Sequence, residues 1–407
     1  MRLLVLSLNT FPYPPDHGAA EGRTFNLLKQ LSHHHEVTVV AHQTVNATDA
    51  NVQALKAWVH GVKTFPLAAS EAAQPEGNPL NQALRLAQFA ITATPPNVSF
   101  RFSPEVYTWV TQQIEARAYD GIICEHSINE MYVHPKFRRQ VKTLVDIHSS
   151  VYGWVLNHLE AGASENALRD RLYLPLLARY EKRYCDKFTH LIATTPDDRQ
   201  QLQRLMPDAK ITIVSNGVDL TTFSYRSHDP GGQSLIFIGA MDSSHNIDAA
   251  CYLAQEIFPR VQQRYPQATL SLVGTRPVPA VKALDGLPGV TVTGRVPSIT
   301  DYIHRATVGV VPLRAGLGIK TKTLESMAAG VPIVASDRGL EGLPVDSKNL
   351  PLRALRANSP EAYVTAIGRL FDAADLRQML SKNARHMIET EYTWEIAGQR
   401  YEQVLSS

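Results

Sequence analysis

Cysteine is scarce in this chain. The three present, Cys124, Cys185 and Cys251, lie far apart and at no metal-ligand spacing. That excludes a disulfide framework and a cysteine-built zinc site, and the simplest reading is a reduced, cytoplasmic chain. Long apolar runs are also missing. The opening MRLLVLSLNTFPYPP is like a signal peptide only briefly, because Asn9 and the prolines interrupt it, and no stretch is apolar enough to span a bilayer. Excess charge of one sign is absent: the formal net charge is +2, which gives no argument for nucleic acid. No G-x-G-x-x-G follows the first apolar run, which argues against a dinucleotide such as NAD.

What is present is a repeated grammar. At 407 residues the chain exceeds one typical core, so two domains are expected. Residues 3–8 read as a strand, 20–31 as a helix through Phe25, Leu27, Leu28 and Leu31, and 37–41 as a second strand. Strands follow at 121–124, 141–147, 190–194 and 211–214. This β-α-β opening predicts a parallel sheet with right-handed crossovers. The pattern restarts at 235–238, with a helix at 247–265 and strands at 269–273, 290–293 and 308–311. The expected division is a first domain at 1–220, a linker at 221–233, a second domain at 234–386 and a terminal helical segment at 387–407. A helix-like patch is expected at 80–91. His33, His34 and His35 do not face one point, so a solvated loop is expected there rather than a metal site. A helix at 165–188 carries Leu168, Leu172, Leu176 and Tyr180, decorated by Arg169, Arg171, Arg179, Lys182 and Arg183. Its stripe is expected to pack on the sheet rather than on a membrane surface.

The densest chemistry lies at 310–336, VVPLRAGLGIKTKTLESMAAGVPIVAS. An apolar strand leads into a loop with Gly316 and Gly318. Lys320-Thr321-Lys322-Thr323 then opens a helix carrying Glu325, which Gly330 is placed to stop. A further strand is expected at 331–335. A helix N-terminus beside lysines suits a phosphate. Glu325, a turn further in, suits sugar hydroxyls, from which a carboxylate accepts. Phosphate and polyol together describe a nucleotide or a nucleotide sugar.

GIKTKTLESMAAGVPIVAS resembles the donor-site motif of the family 4 glycosyltransferases. Its second Glu matches Glu325, and its first would fall at Leu317. Ser215-Asn216-Gly217-Val218-Asp219 resembles the turn that precedes that family's linker, and Gly18 matches one of the paired glycines in its first loop. The resemblance implies an α/β protein of GT-B architecture: two Rossmann-like doubly wound parallel-sheet domains facing a cleft, with a C-terminal helix crossing back to the first. It implies retaining transfer of a sugar from a nucleotide-diphosphate sugar, most simply a UDP-sugar, to the hydroxyl of a saccharide, lipid-linked or small-molecule acceptor. UDP is then a product, and no other cofactor and no obligatory metal is implied; no Asp-x-Asp is present.

Carried over residue by residue, the resemblance places His148 near the donor sugar, and Glu125 with His126 on the acceptor side. Gly18, Asn216, Gly239 and Gly274 approach the nucleotide, and Arg295 and Val296 edge its base. Lys320, Thr323, Leu324 and Glu325 form the donor site. The basic pair that holds the diphosphate in that family is replaced by Ala240 and His245. Lys320 is the expected substitute, followed by Lys322 and then Arg314. Two other readings stay open. Glu125, His126, Asp146 and His148 could form the acid/base set of a GT-B sugar-nucleotide epimerase. A non-catalytic GT-B-like binding subunit would need none of them.

Overall fold

The computed structural model describes residues 1–15, 17–67, 87, 89–99, 102–148, 150–160, 164, 166–316 and 318–407. The helix-like patch expected at 80–91 lies largely outside them. The chain forms two compact units. One comprises Met1–Ser215 with Ala397–Ser407, and the other Asn216–Ile396.

The first unit is built on seven strands: β1 (Arg2–Leu6), β2 (Glu36–Gln43), β3 (Gly61–Pro66), β4 (Gly121–Glu125), β5 (Lys142–Ile147), β6 (His190–Ala193) and β7 (Ile211–Ile213). Their order is β3-β2-β1-β4-β5-β6-β7, with every neighbouring pair parallel. The second unit carries β8 (Ser234–Ile238), β9 (Thr269–Val273), β10 (Val290–Gly294), β11 (Val308–Val311), β12 (Ile333–Ala335) and β13 (Leu355–Arg356). Their order is β10-β9-β8-β11-β12-β13, again all parallel. Both are Rossmann-like doubly wound sheets, as the motif pattern implied. Central strands such as RLLVL and VGVV are buried along nearly their whole length, because helices cover both faces.

In each sheet the chain winds outward over three strands and returns to pair beside the first. The direction reverses between β1 and β4, and again between β8 and β11. Ligands of such sheets sit beyond the carboxyl ends at this reversal. The ends of those four strands and the loops that follow them are therefore where a ligand of each sheet would sit. They hold Asn9, His126, Gly239 and Lys320, and Glu125 is the last residue of β4.

Several local expectations differ from the structure. The helix expected at 165–188 runs Ala167–Cys185, and its first half does not face the sheet: Leu168 and Leu172 are 73% and 65% exposed. A strict four-residue spacing advances about 40° per step, so the 168-172-176-180 stripe walks around the helix. Of the expected stripe Tyr180 is buried and Leu176 half-buried; the buried face is Leu177, Tyr180 and Tyr184, with Tyr173, Leu174 and Leu176 packing near the helix Val151–Glu160. The helix expected at 247–265 is three pieces. Ser244–Tyr252 passes through a π turn, Leu253–Ile257, into Phe258–Arg264, where Pro259 cannot donate to the ladder. The strand expected from 331 begins at Ile333. Pro332 has no N–H, and Val331 N–H still bonds back to Ser326 O. Gly330 does stop the preceding helix, at φ +88°. Among the described residues no helix is long and apolar enough to cross a membrane.

Candidate active site

In the first unit, Glu125 and Asp146 are register neighbours at the ends of β4 and β5, and His148 lies just beyond β5. Asp146 is fully buried. It accepts from Arg23 Nε at 3.1 Å and Nη2 at 2.9 and 2.8 Å, and from the Tyr401 hydroxyl at 2.6 Å. Arg23 Nη2 also donates to Val214 O at 2.9 Å. Burial alone would lower the Arg23 pKa, but the Asp146 charge, with Tyr401 and Glu125, raises it overall. Burial and Asp146 hold the Tyr401 hydroxyl protonated, as a donor must be.

Glu125 accepts from Thr24 Oγ1 at 3.1 Å, and its Oε2 lies 3.2 Å from His148 Nε2. The His126 ring stands 5.2 Å from the His148 ring, edge to face. His148 is the most solvent-accessible of the Glu125–Asp146–His148 set, so it presents the pair's reactive edge. Donor atoms of these three lie within 4.8 Å of one another, a set that a metal ion could use. Asp146 is nevertheless already matched by a buried guanidinium. Beyond the ends of β1 and β2, Leu8, Asn9, His42, Phe102, Asn129 and Tyr132 line a small cleft within this unit. Asn129 Nδ2 ties it to Asn9 Oδ1 at 2.9 Å. Gly18 sits at the start of the helix Ala19–Leu31 and leaves it without a side-chain cap.

In the second unit, Lys320 is the N-cap of the helix Thr321–Ala328. The first intrahelical bonds run from Thr323 and Leu324 N–H to Lys320 O, so the amides of Thr321 and Lys322 precede them. The Thr323 hydroxyl is bonded to Gly339 O at 2.8 Å, and Leu324 is core. Lys320 Nζ donates to Gly318 O and lies 3.3 Å from Glu341 Oε2, while Arg338 Nη1 donates to the other oxygen, Oε1, at 3.1 Å. Arg314 is paired with Asp248, Nε to Oδ2 at 3.0 Å, and lies over the Tyr252 ring. Lys322 is buried, donates to Asn246 Oδ1, and has its ammonium 5.1 Å from the Phe237 ring centre.

Glu325 lies one turn inside, and its carboxylate makes no hydrogen bond among the described residues. Burial pushes it up to about 7, against the pull of Lys322. Burial likewise holds Lys322 down to about 8. Burial, then Lys322 and Lys320, lower His245, so it is neutral at pH 7 and supplies no cation. Gly274 and Gly239 are in close approach: a Cβ on Gly274 would fall 1.7 Å from Gly239 O. Arg295 is exposed and Val296 half-buried, just past β10, and Asn216 is half-buried at the start of this unit.

Sequence reasoning missed Tyr401, Asn246 and Glu341 as partners. It also missed Arg23, which is buried. One signal was available: Arg23 stands four and five residues before Leu27 and Leu28, on the apolar face of its helix.

Two parallel doubly wound sheets with such strand-end sites define the GT-B class of folds. The family models agree. Residues 20–222 match the model described as Glycosyltransferase Family 4, and residues 232–373 match Glycosyl transferases group 1. The chain belongs to the group 1 glycosyltransferases. It is 34% identical over 83 residues to a putative glycosyltransferase, YtcC, of Bacillus subtilis (strain 168). That match spans 20% of this chain and 20% of the relative. Among solved structures, sucrose-phosphate synthase from Thermosynechococcus elongatus superposes with a TM-score of 0.70 at 18% identity, covering 100% of this chain and 98% of that one. The Anabaena protein Alr3699/HepE, in complex with UDP and glucose, does so with a TM-score of 0.65 at 15% identity over 100% of both chains.

Proposed function

We propose that this chain is a retaining glycosyltransferase that moves a sugar from a nucleotide-diphosphate sugar, a UDP-sugar, to an acceptor hydroxyl in the cytoplasm. The observation that carries the reading is Glu325. A carboxylate without a hydrogen-bond partner among the described residues, one turn inside a lysine-flanked helix N-terminus at the reversal point of the second sheet, suits a ribose diol beside a diphosphate. That the Anabaena neighbour is recorded with UDP supports uridine as the nucleoside.

In this mechanism the acceptor oxygen bonds to the anomeric carbon on the face from which the diphosphate leaves. The bond from that carbon to the diphosphate oxygen breaks, and the acceptor's proton passes to that departing oxygen. Lysine side chains and the helix N-terminus stabilise the developing charge, without a metal ion. His148, held by Glu125, borders the sugar. The cleft around Asn9, Asn129 and His42 takes the acceptor, which can be a saccharide. The test is a thermal-shift screen of nucleoside diphosphates, followed by measurement of UDP release from UDP-sugars with candidate acceptors and the anomeric configuration of the product by NMR.

The hydrogen-bonded Glu125–His148 pair also favours one second reading, a sugar-nucleotide epimerase, since it is a ready acid/base couple. Incubating a UDP-sugar with no acceptor separates the two. An epimerase yields an isomer, whereas a transferase leaves the sugar nucleotide intact.

A further inference from the structure

We infer that Lys322, oriented by Asn246, is the cation that binds the donor's diphosphate, in place of the basic pair that positions 240 and 245 lack. This rests on the glycosyltransferase reading and names the residue that its nucleotide site uses.

Of the other basic groups at the loops after β8 and β11, three are ion-paired and one is a histidine whose pKa is lowered. Arg314 is paired with Asp248, Arg276 with Asp242, and Lys320 with Glu341, while His245 is neutral. Lys322 has no carboxylate within ion-pair distance among the described residues. Its ammonium donates to a neutral amide oxygen, Asn246 Oδ1, and has two hydrogens left for an anion. A buried cation held by a neutral partner is costly, and the cost is relieved when an anion arrives.

Its location fits that anion. Asn246 lies in the first turn of the helix Ser244–Tyr252, and its Nδ2 donates to Ala240 O at 2.8 Å, fixing the loop after β8. A Cβ on Gly239 would fall 2.9 Å from that same Nδ2, so the loop backbone lies directly against the amide. Lys322 itself is in the first turn of the helix Thr321–Ala328. Its ammonium thus sits where two helix N-termini and a glycine-containing loop meet, three features that each favour phosphate oxygens. Glu325 is one turn beyond Lys322 on the same helix, which is the order of phosphate and ribose in a nucleotide.

The experiment measures binding of UDP, uridine and inorganic pyrophosphate to the full chain and to Lys322→Met, Lys322→Arg and Lys320→Met, by calorimetry. Methionine keeps the aliphatic stem and removes the charge. We expect Lys322→Met to weaken UDP at least tenfold, abolish pyrophosphate binding, and leave uridine within twofold. Lys322→Arg should recover part of the UDP affinity, and Lys320→Met should lose less than Lys322→Met does. The unliganded Lys322→Met protein should melt at or above the wild-type temperature, because a charge that burial disfavours more than Glu325 supports has gone. A purely structural lysine would lower it. Wild-type UDP affinity should fall above about pH 8, where this ammonium loses its proton, and the variant should lose that limb. Equal losses for uridine and UDP, or a tenfold UDP loss confined to Lys320→Met, overturn the assignment while leaving the nucleotide site standing. A wild-type chain that binds no nucleoside diphosphate overturns both.

Discussion

Arg23 and Asp146 form a buried, two-pronged ion pair that joins the helix Ala19–Leu31 to the end of β5, with both side chains almost entirely inaccessible. Tyr401, on the last helix, completes the carboxylate's shell. Asp146 stands two residues before His148, so the pair fixes the strand end that presents the histidine.

Removing one partner should therefore be costly. Arg23→Met leaves a buried carboxylate without its cation, and about 3–5 kcal/mol of stability should be lost. The double variant Arg23→Met with Asp146→Asn should recover much of that, since no unpaired charge remains. Urea unfolding of the three variants checks this; an additive double variant would show that the two residues act separately.

His148→Ala should lower kcat by at least a hundredfold and change UDP affinity less than threefold, because the residue is assigned to the sugar and not to the nucleotide. Glu125→Gln keeps an acceptor for Thr24 but loses the charge beside His148, so its kcat should fall less. Steady-state kinetics with calorimetric UDP binding separate the effects. A His148→Ala protein with normal kcat places the histidine outside the reaction.

The exposed leucines give a test of packing. Leu168→Ser and Leu172→Ser should each change stability by no more than about 0.5 kcal/mol, as surface substitutions do. Leu177→Ala, on the buried face of the same helix, should cost about 2–5 kcal/mol. Thermal or urea unfolding decides between this face and the 168-172-176-180 stripe.

These cases mark what is legible in a sequence. β1, β4, β8 and β11 are readable because a strand covered on both faces is a continuous apolar run. β3, GVKTFP, escapes notice: it is an edge strand with one fully buried side chain, Phe65. The 165–188 helix was readable as a helix but not in its facing, since a four-residue repeat fits more than one stripe over five turns. The donor loop was legible as chemistry, because Lys320, Lys322 and Glu325 crowd one short stretch. Which partner each lysine takes was not. That depends on Glu341 and Asn246, 21 and 76 residues away from them. Tyr401 lies 255 residues from Asp146, with no local pattern to announce it.

Glu325 and Lys322 together predict the pH behaviour. The Glu325 carboxyl is raised from 4.5 to about 7 by burial, so its ionisation is penalised in the folded state. Between about pH 4.5 and 7 the folded chain holds the proton more tightly than the unfolded one, and stability falls as pH rises. Above 7 the penalty is complete, at most ~3 kcal/mol at 1.36 kcal/mol per unit. Glu325→Gln should therefore stabilise the unliganded protein at pH 8 and leave it nearly unchanged at pH 4. Lys322 is lowered from 10.5 to about 8, so its penalty is complete below 8 and is relieved between 8 and 10.5. Nucleotide binding needs the opposite pair of states, an ionised Glu325 for the ribose and a protonated Lys322 for the diphosphate. UDP affinity should then rise from pH 6 to 7, hold between 7 and 8, and decline above 8. Glu325→Gln should flatten the acid limb and weaken uridine and UDP alike, since both carry the ribose. Calorimetric titration of UDP from pH 5.5 to 9.5 measures the profile. An affinity that does not change across that range would separate both residues from the nucleotide.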